Sequence, residues 1–159
     1  MTSLPHLLVL LLALTTTPLF ASERMQSLLS SEQAPAGVVF EIVEGDENAL
    51  EWAMPQVAEY VRQLRARFPG IGIAVVTHGS EQFALERRYR DEYATVHQLV
   101  RSLTEDENVP VHVCGTHASW YDVTPEDFPD YVDVSAAGPA QINDYRQLGW
   151  VLIKVEEPE

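Results

Sequence analysis

The sequence predicts an α/β fold in which a doubly wound, mostly parallel five-stranded sheet carries helices on both faces. Short apolar segments alternate along the chain with segments of helical periodicity, which is the order of consecutive strand–helix units. The apolar segments lack the polar–apolar alternation of a half-exposed strand, so both faces of the sheet are expected to be buried. Right-handed connections are expected between such parallel strands.

The first two strands and the helix between them are predicted within residues 37–77. Residues 37–43 (GVVFEIV) are rich in β-branched residues and are followed by the acidic turn EGDEN, as expected of a buried strand. Residues 71–77 (IGIAVVT) form the second predicted strand. Between them, apolar residues recur at helical spacing until Pro69 and Gly70, which end the helix.

Three further strands complete the predicted sheet, again separated by helical segments. Apolar residues spaced three or four apart predict one long helix or two shorter ones before the third strand. The remaining predicted elements are a helical region over 85–103, a strand over 109–114, a short helical segment over 116–121, a helical turn over 124–128, a strand over 131–135, a helix over 138–148 and a strand over 149–155.

The length of 159 residues predicts one domain, preceded by a segment that is removed on export. Residues 1–21 contain a short apolar run and then a polar stretch, as in a secretory signal peptide. An uncleaved N-terminal anchor is the alternative. Residues 22–36 are expected to be a tail or linker, and residues 37–156 the folded domain. The expected location is therefore an exported one, the bacterial periplasm, with no membrane association after cleavage.

The charge of the chain excludes polyanionic partners. Ten basic side chains oppose 24 acidic ones, giving a formal net charge of −14. Such a chain repels nucleic-acid phosphates and anionic lipid headgroups, so neither nucleic acid nor a membrane surface is expected as a partner. A basic partner protein is compatible with this charge, as is a surface that is acidic for solubility.

The segment VHVCGTHASW, residues 111–120, contains the single cysteine of the chain, Cys114. Cys114 ends the third predicted strand, and the carboxyl ends of parallel strands are where ligands and chemistry collect in open α/β sheets. A lone cysteine forms no internal disulfide, so in an exported compartment its thiol is shielded, engaged with another molecule or used chemically. Three interpretations are open: a sulfur nucleophile, a metal ligand, or a small apolar residue in a buried strand.

A metal site would use His112, Cys114 and His117, because thiolate and imidazole ligands suit zinc or copper. His78, which follows the second predicted strand, is the next candidate ligand. With strand one placed between strands two and three, His78 would lie about 10 Å away, at about 4.8 Å per strand. The spacing also matches no zinc signature, so we expect neither a metal site nor another cofactor.

Two segments resemble the DsrE/DsrF-like proteins of sulfur metabolism, and in particular their exported members of unassigned role. These segments are VPVHVCGTHA and EDFPDYVDVSAAGPAQINDYRQLGW, with VVTHG after strand two as additional support. The resemblance spans about residues 37–155 and implies a doubly wound α/β fold that forms homo- or hetero-oligomers, often trimers or hexamers. It also implies that the cysteine at the position of Cys114 accepts and passes on sulfane sulfur as a persulfide, as in the characterised cytoplasmic sulfur-oxidation members.

Sulfur transfer requires a thiolate, and a free thiol has a pKa of about 8.5, so the surroundings of Cys114 must favour its charged form. A helix that starts after Cys114 would direct amide N–H groups at the sulfur, a protonated His117 would assist, and Gly115 would allow a sulfur donor to approach. We expect His78, Gly79 and Thr116 to bind the substrate. The expected residues are therefore Cys114, His117 and Gly115 for catalysis, and His78, Gly79 and Thr116 for binding.

The expected partner is a sulfur donor or acceptor, either a small molecule or a protein thiol, and the chain is expected to form a homo-oligomer. The alternative is a non-catalytic oligomeric binding module of the same fold in which the thiol is incidental. Elsewhere, His112 is expected to be a hydrogen-bonded core residue and His97 to face solvent. Trp120 and Tyr121 are expected to pack, to cover the site or to form a subunit contact.

Overall fold

In the computed structural model, which describes residues 23–158, five strands form one sheet in which all neighbouring strands are parallel. The predicted signal peptide lies outside the described residues. The order across the sheet is β4-β3-β2-β1-β5, so the chain moves in one direction through β4 and then crosses to the far edge for β5. The strands are β1 (Gly37–Ile42), β2 (Gly72–Thr77), β3 (Val111–Cys114), β4 (Asp133–Ser135) and β5 (Val151–Lys154).

Five α-helices accompany these strands in the described part of the chain, and the predicted fold class is confirmed. None of the helices in residues 23–158 is both long and apolar enough to cross a bilayer. The helices are α1 (Glu23–Ser30), α2 (Leu50–Arg67), α3 (Ala94–Glu105), α4 (Gly115–Ser119) and α5 (Gly138–Gln147). Short 3-10 turns lie at Glu47–Ala49, Ser80–Leu85, Arg87–Tyr89 and Pro125–Asp127.

The two faces of the sheet are covered unequally. The side chains of Val38 and Phe40 belong to the main core with α1, α2 and α3, whereas the alternating residue Val39 points to the opposite face. There it packs with Val76 and with Ile142 of α5 in a much smaller buried cluster. The second face therefore has room for polar groups, and these lie towards the carboxyl ends of the strands.

The order of the strands corrects the arrangement used above to place His78. We expected strand one between strands two and three, but β2 lies between β1 and β3. From β1 to β4, strands that follow each other in the chain are neighbours in the sheet, which is the commoner arrangement. His78, which follows β2, therefore lies one strand from Cys114 and not two.

The predicted helical region over residues 85–103 is only partly helical. The chain forms 3-10 turns from Ser80 to Tyr89, and the α-helix begins at Ala94. Leu85 and Tyr93 belong to the predicted helical spacing, and both are buried. Leu85 ends a 3-10 turn, and Tyr93 is the N-cap of α3. Apolar spacing reports which residues face the core, and a 3-10 turn can satisfy it nearly as well as an α-helix.

Residues 23–30, expected to belong to a tail or linker, form the helix α1. Met25 is fully buried and Leu28 is nearly so, and both belong to the main core. The guanidinium of Arg67 donates to the carbonyl oxygens of Leu29 (3.2 Å) and Ser31 (2.6 Å), which fixes the end of the helix. Eight residues with one apolar pair are too few to show helical periodicity in the sequence.

His97 does not face solvent as expected, since only 3% of its surface is exposed. Its Nε2 lies 3.0 Å from the carbonyl oxygen of Ala84 and its Nδ1 lies 2.7 Å from the hydroxyl of Tyr131. Burial lowers the pKa of His97, which favours a neutral ring held between these two partners.

We expect Met25→Ala to lower the free energy of unfolding by about 2–5 kcal/mol, because it leaves a cavity between α1 and the main core. Denaturant unfolding of the purified protein measures this loss. The control is Ser27→Ala on the exposed side of the same helix, which should change stability by about 0.5 kcal/mol or less. Equal stability of the two variants would show that α1 does not belong to the folded domain.

Candidate functional site

Cys114 is the last residue of β3 and the N-cap of α4. Its backbone is extended (φ −91°, ψ 107°), so the chain turns into the helix at the next residue. The sulfur accepts the backbone N–H of His117 at 3.4 Å, and 5% of the residue surface is exposed. The thiol is thus the capping group of a short helix at the carboxyl edge of the sheet.

The side chain of Gln82 holds the backbone of Cys114. Its Oε1 accepts the Cys114 N–H at 2.7 Å, and its Nε2 donates to the Cys114 carbonyl oxygen at 3.4 Å. Gln82 is fully buried. Because β2 ends at Thr77, the Gln82 amide supplies the hydrogen bonds that a longer β2 would give to the end of β3.

The neighbouring carboxylate of Glu81 is fully buried and joins the ends of β1 and β2. It accepts the backbone N–H groups of Gly79 (2.9 Å) and Glu44 (2.7 Å) and the hydroxyl of Thr77. A Cβ at Gly79 would lie 2.3 Å from both the Glu44 carbonyl oxygen and Glu81 Oε2. Glycine is therefore required at position 79 by this close approach.

His78 lies beside Cys114 on the second face of the sheet. The register pairs Thr77 with Val113, so the next residues of the two strands, His78 and Cys114, are lateral neighbours at about 4.8 Å strand spacing. His78 Nε2 lies 3.0 Å from Glu41 Oε1, with 14% and 15% of the two side chains exposed. The structure thus places a histidine–carboxylate pair at the ends of β1 and β2, with His78 on the strand next to the one that ends at Cys114.

Two other groups surround this pair. Lys154 Nζ lies 3.9 Å from Glu41 Oε2, at the outer side of the pair. On the opposite side, the first turn of α5 packs directly on the imidazole, since a Cβ at Gly138 would lie 2.5 Å from His78 Cβ. The ring of His78 is therefore fixed by packing as well as by its hydrogen bond.

The hydrogen bond from His117 to the thiol comes from its backbone, and its imidazole bonds elsewhere. Its Nδ1 donates to the carbonyl oxygen of His78 at 3.0 Å, while the backbone N–H of His117 contacts the sulfur. The ring packs edge-on against Phe83, Trp120 and Tyr121, with centroids 5.4, 5.4 and 5.5 Å apart. His117 thus links the site to an aromatic cluster.

Gly115 and Thr116 connect α4 to the segment after β4. The N–H and the hydroxyl of Thr116 both donate to the carbonyl oxygen of Ala136, at 3.0 and 2.7 Å. A Cβ at Gly115 would lie 3.0 Å from the carbonyl oxygen of Ser135. Both residues therefore fix the start of α4, whose position determines where the His117 N–H points.

His112 is a hydrogen-bonded core residue, as expected. Its Nε2 lies 2.9 Å from the hydroxyl of Tyr145, and its Nδ1 lies 3.9 Å from Asp133 Oδ2. Burial lowers the pKa of His112, with a smaller opposing effect from Asp133, which favours the neutral form of the ring. Across residues 23–158, no three histidine, cysteine, aspartate or glutamate side chains converge closely enough to hold a metal ion.

The site residues Glu41, Glu81 and Gln82 carry little or no signal in the sequence. Glu41 had one signal, because it is the single polar residue within the strand GVVFEIV. Glu81 and Gln82 lie in the segment SEQFAL, where no spacing distinguishes a buried polar side chain from an exposed one. Their roles become visible only when the ends of β2 and β3 are seen side by side.

Solved structures that are similar to this chain include three that each align with 74% of its 159 residues. A protein of unknown function, MTH1491, from Methanobacterium thermoautotrophicum is 25% identical, with 96% of its chain covered and a TM-score of 0.58. BT1422 from Bacteroides thetaiotaomicron, a conserved protein of unknown function, is 11% identical, with 94% covered and a TM-score of 0.52. The ychN protein from E. coli is 14% identical, with 99% covered and a TM-score of 0.52.

These similarities support the α/β fold over nearly the whole length of each compared structure. No protein-family model matches the chain. No curated protein sequence matches it either.

The stability of the protein should decrease as the pH falls from about 7 to about 5. Because the pKa of His112 is lowered from its ordinary value of 6.5, the unfolded chain takes up a proton at this residue before the folded chain does. Protonation of His112 therefore favours the unfolded state in this pH range. Denaturant unfolding at a series of pH values should show a shallower decrease for His112→Gln, whose amide does not titrate. Equal slopes would show that His112 contributes nothing to the pH dependence.

Proposed function

We propose that this chain is an exported member of the DsrE/DsrF-like family and carries sulfane sulfur as a persulfide on Cys114. The observation that carries the proposal is the position of the Cys114 sulfur, which caps α4 at the carboxyl edge of the sheet and accepts the His117 N–H. The residues VPVHVCGTHA, which carry the resemblance, are the ones that build this edge. The shared α/β fold is consistent with the same assignment.

The surroundings of the sulfur suit a thiolate. The His117 N–H is a donor directed at the sulfur, and such a donor favours its negative charge. This donor belongs to the backbone and is held by the helix that begins at Gly115. Its position therefore does not depend on the nature of the side chain at residue 117.

The same proposal makes His78, on the strand next to Cys114, the base that accepts the thiol proton, because Nδ1 of His117 is already bonded to the His78 carbonyl oxygen. With Nε2 of His78 donating to Glu41, the other ring nitrogen, Nδ1, would accept this proton. Transfer of the Cys114 proton to this nitrogen would give a thiolate beside an imidazolium that Glu41 stabilises. Cys114 is then the nucleophile, His78 its base, and Glu41 the group that orients His78.

The transfer is balanced without an added oxidant. The Cys114 thiolate attacks the outer sulfur of a donor persulfide, a new S–S bond forms, and the donor's S–S bond breaks with its electron pair leaving on the donor thiolate. A second thiolate, on the acceptor, then attacks the outer sulfur held on Cys114, and Cys114 leaves as a thiolate. The protein acts in this way as a sulfur carrier or sulfurtransferase.

The same proposal includes three properties that the sequence led us to expect. Removal of residues 1–21 would release the domain into an exported compartment, the periplasm of a bacterium. The resemblance implies assembly into a homo-oligomer, a trimer or hexamer. The donor and acceptor are a small molecule or a protein thiol, and no other cofactor takes part.

One observation favours the alternative, a non-catalytic oligomeric binding module. Only 5% of Cys114 is exposed, and its backbone is fixed on both sides by Gln82. A small, weakly polar residue at the end of a buried strand would give the same contacts. The accessibility of the thiol to reagents separates the two functions.

We expect incubation with a polysulfide or a small-molecule persulfide to add about 32 Da, one sulfur atom, to the intact protein. The added mass should disappear on treatment with excess thiol, because the acceptor removes the outer sulfur. Intact-protein mass spectrometry measures both steps. Cys114→Ser is the control and should take up no mass. An unmodified wild-type protein would count against the proposed function.

We expect iodoacetamide to alkylate Cys114 readily at neutral pH, and His78→Gln to slow this reaction about tenfold, because the thiol loses the base that takes up its proton. His117→Gln is the matched control and should react like the wild type, because the donor to the sulfur is its backbone N–H. A slow His117→Gln variant with an unaffected His78→Gln variant would reverse the assignment of the base. Very slow alkylation of the wild type would favour the binding module.

A further inference from the structure

Exposed large hydrophobic side chains collect at the carboxyl edge of the sheet. Among the described residues, four are strongly exposed: Val43 (49%), Trp120 (72%), Tyr121 (61%) and Leu148 (67%). Val43 follows β1, and Trp120 and Tyr121 follow α4, so three of the four border the edge that carries Cys114. Leu148 lies at the other end of α5. Clustered exposed apolar groups commonly mark an interaction surface.

The two aromatic residues are held in place before any partner binds. The ring of Tyr121 contacts Phe83 edge-on with centroids 5.1 Å apart, and both Trp120 and Tyr121 contact the ring of His117. A rigid aromatic group loses little conformational freedom on binding. The same His117 donates its backbone N–H to Cys114, so this aromatic surface adjoins the thiol.

Carboxylates surround these aromatic groups. Glu47 and the buried Glu86 line a cleft of about 260 Å³ together with Phe83, Tyr89 and Tyr121. Asp122 follows Tyr121 directly and is exposed. We call Val43, Glu47, Trp120, Tyr121 and Asp122, with this cleft, the acidic aromatic surface.

The cleft already accommodates one cationic side chain of the protein itself. The guanidinium of Arg88 pairs with Glu86 at 2.9 Å and lies over the ring of Tyr89, 4.7 Å from its centroid. Burial raises the pKa of Glu86, Arg88 counteracts this, and Asp127 and Glu47 raise it further. The last two effects indicate a negative potential around the cleft. Carboxylates and aromatic faces together favour positively charged groups.

The size and the charge of this surface limit what it can bind. A cleft of about 260 Å³ is smaller than the roughly 300–1,000 Å³ of small-molecule sites, and it suits a single side chain. The carboxylates at this surface disfavour a small anion as the group bound in the cleft. A second copy of the chain would bring the same negative charge. A basic segment of another protein has the complementary charge.

We propose that the acidic aromatic surface docks a basic segment of a partner protein, with a lysine or arginine side chain in the cleft and an apolar contact on Trp120. This surface would be the route by which a sulfur acceptor reaches Cys114, and that role rests on the proposed function. The docking itself does not require the thiol. It depends on the aromatic groups and on the carboxylates beside them.

The test is binding of a fluorescein-labelled hexalysine peptide to the full protein, measured by fluorescence anisotropy at low and high salt. We expect Trp120→Ala/Tyr121→Ala to weaken binding at least about fivefold, the loss typical of an interface residue that contributes about 1 kcal/mol. Leu148→Ala, an exposed apolar residue at the other edge, is the matched control and should change the affinity less than twofold, about 0.4 kcal/mol.

A second pair of variants separates local from overall charge. Glu47→Gln/Asp122→Asn should weaken binding at least about fivefold. Asp144→Asn/Glu156→Gln removes the same number of charges from exposed positions elsewhere and should have a smaller effect. Equal affinities for the two double variants would show that the peptide responds to net charge only, and would overturn the inference.

Two further outcomes are distinguishable. If Trp120→Ala/Tyr121→Ala changes the oligomeric state in light scattering and leaves peptide affinity unchanged, the surface is a contact between copies and the inference is wrong. Cys114→Ser should bind the peptide like the wild type. If the peptide binds as expected while Cys114 takes up no sulfur, docking stands and the proposed function fails. If sulfur is taken up without specific peptide binding, the proposed function stands and docking at this surface fails.

Discussion

The candidate site depends on the buried carboxylate of Glu81. A buried charge is costly unless donors surround it, and here two backbone N–H groups and one hydroxyl do so. These donors come from the ends of β1 and β2, so one side chain fixes the relative positions of both strand ends. It also fixes the turn Ser80–Leu85, from which Gln82 reaches across to the backbone of Cys114. The hydrogen bonds to Glu81 thus fix the turn that carries Gln82, and Gln82 in turn fixes the backbone that positions the thiol.

The unequal covering of the sheet explains why the polar groups gather where they do. The face packed by α1, α2 and α3 provides the larger share of the buried core, and its polar groups Thr77 and Glu81 are fully buried and bonded to each other. The opposite face has a small apolar cluster under α5, and His78, His112 and Cys114 all lie on that side. A polar group on the closed face would need a partner within a dense core. On the thin face, a hydrogen-bond partner or solvent is within reach, so histidine and cysteine are tolerated there.

The sequence predicts the fold and the position of Cys114 because both rest on local patterns. Apolar runs of five to seven residues separated by helical spacing identify the strands, and Cys114 directly ends one of them. The order of the strands has no local pattern, and the wrong order separated His78 from Cys114. His117, three residues after Cys114, is the helper that the sequence predicts. In the structure its imidazole turns to the His78 carbonyl oxygen, and His78 pairs with Glu41 at the ends of the neighbouring strands.

The burial of Cys114 and the acidic surroundings fit together under the proposed function. An exposed thiolate in an oxidising compartment is open to oxidation and to mixed disulfides, and both risks grow with exposure. Only 5% of the Cys114 residue surface is exposed, which limits this chemistry and also limits the approach of a protein thiol. A partner that docks on the preformed aromatic groups next to His117 would approach beside α4, the helix whose His117 N–H contacts the sulfur. Selective access then arises from docking, and a reactive thiol can be kept in a compartment that would otherwise consume it.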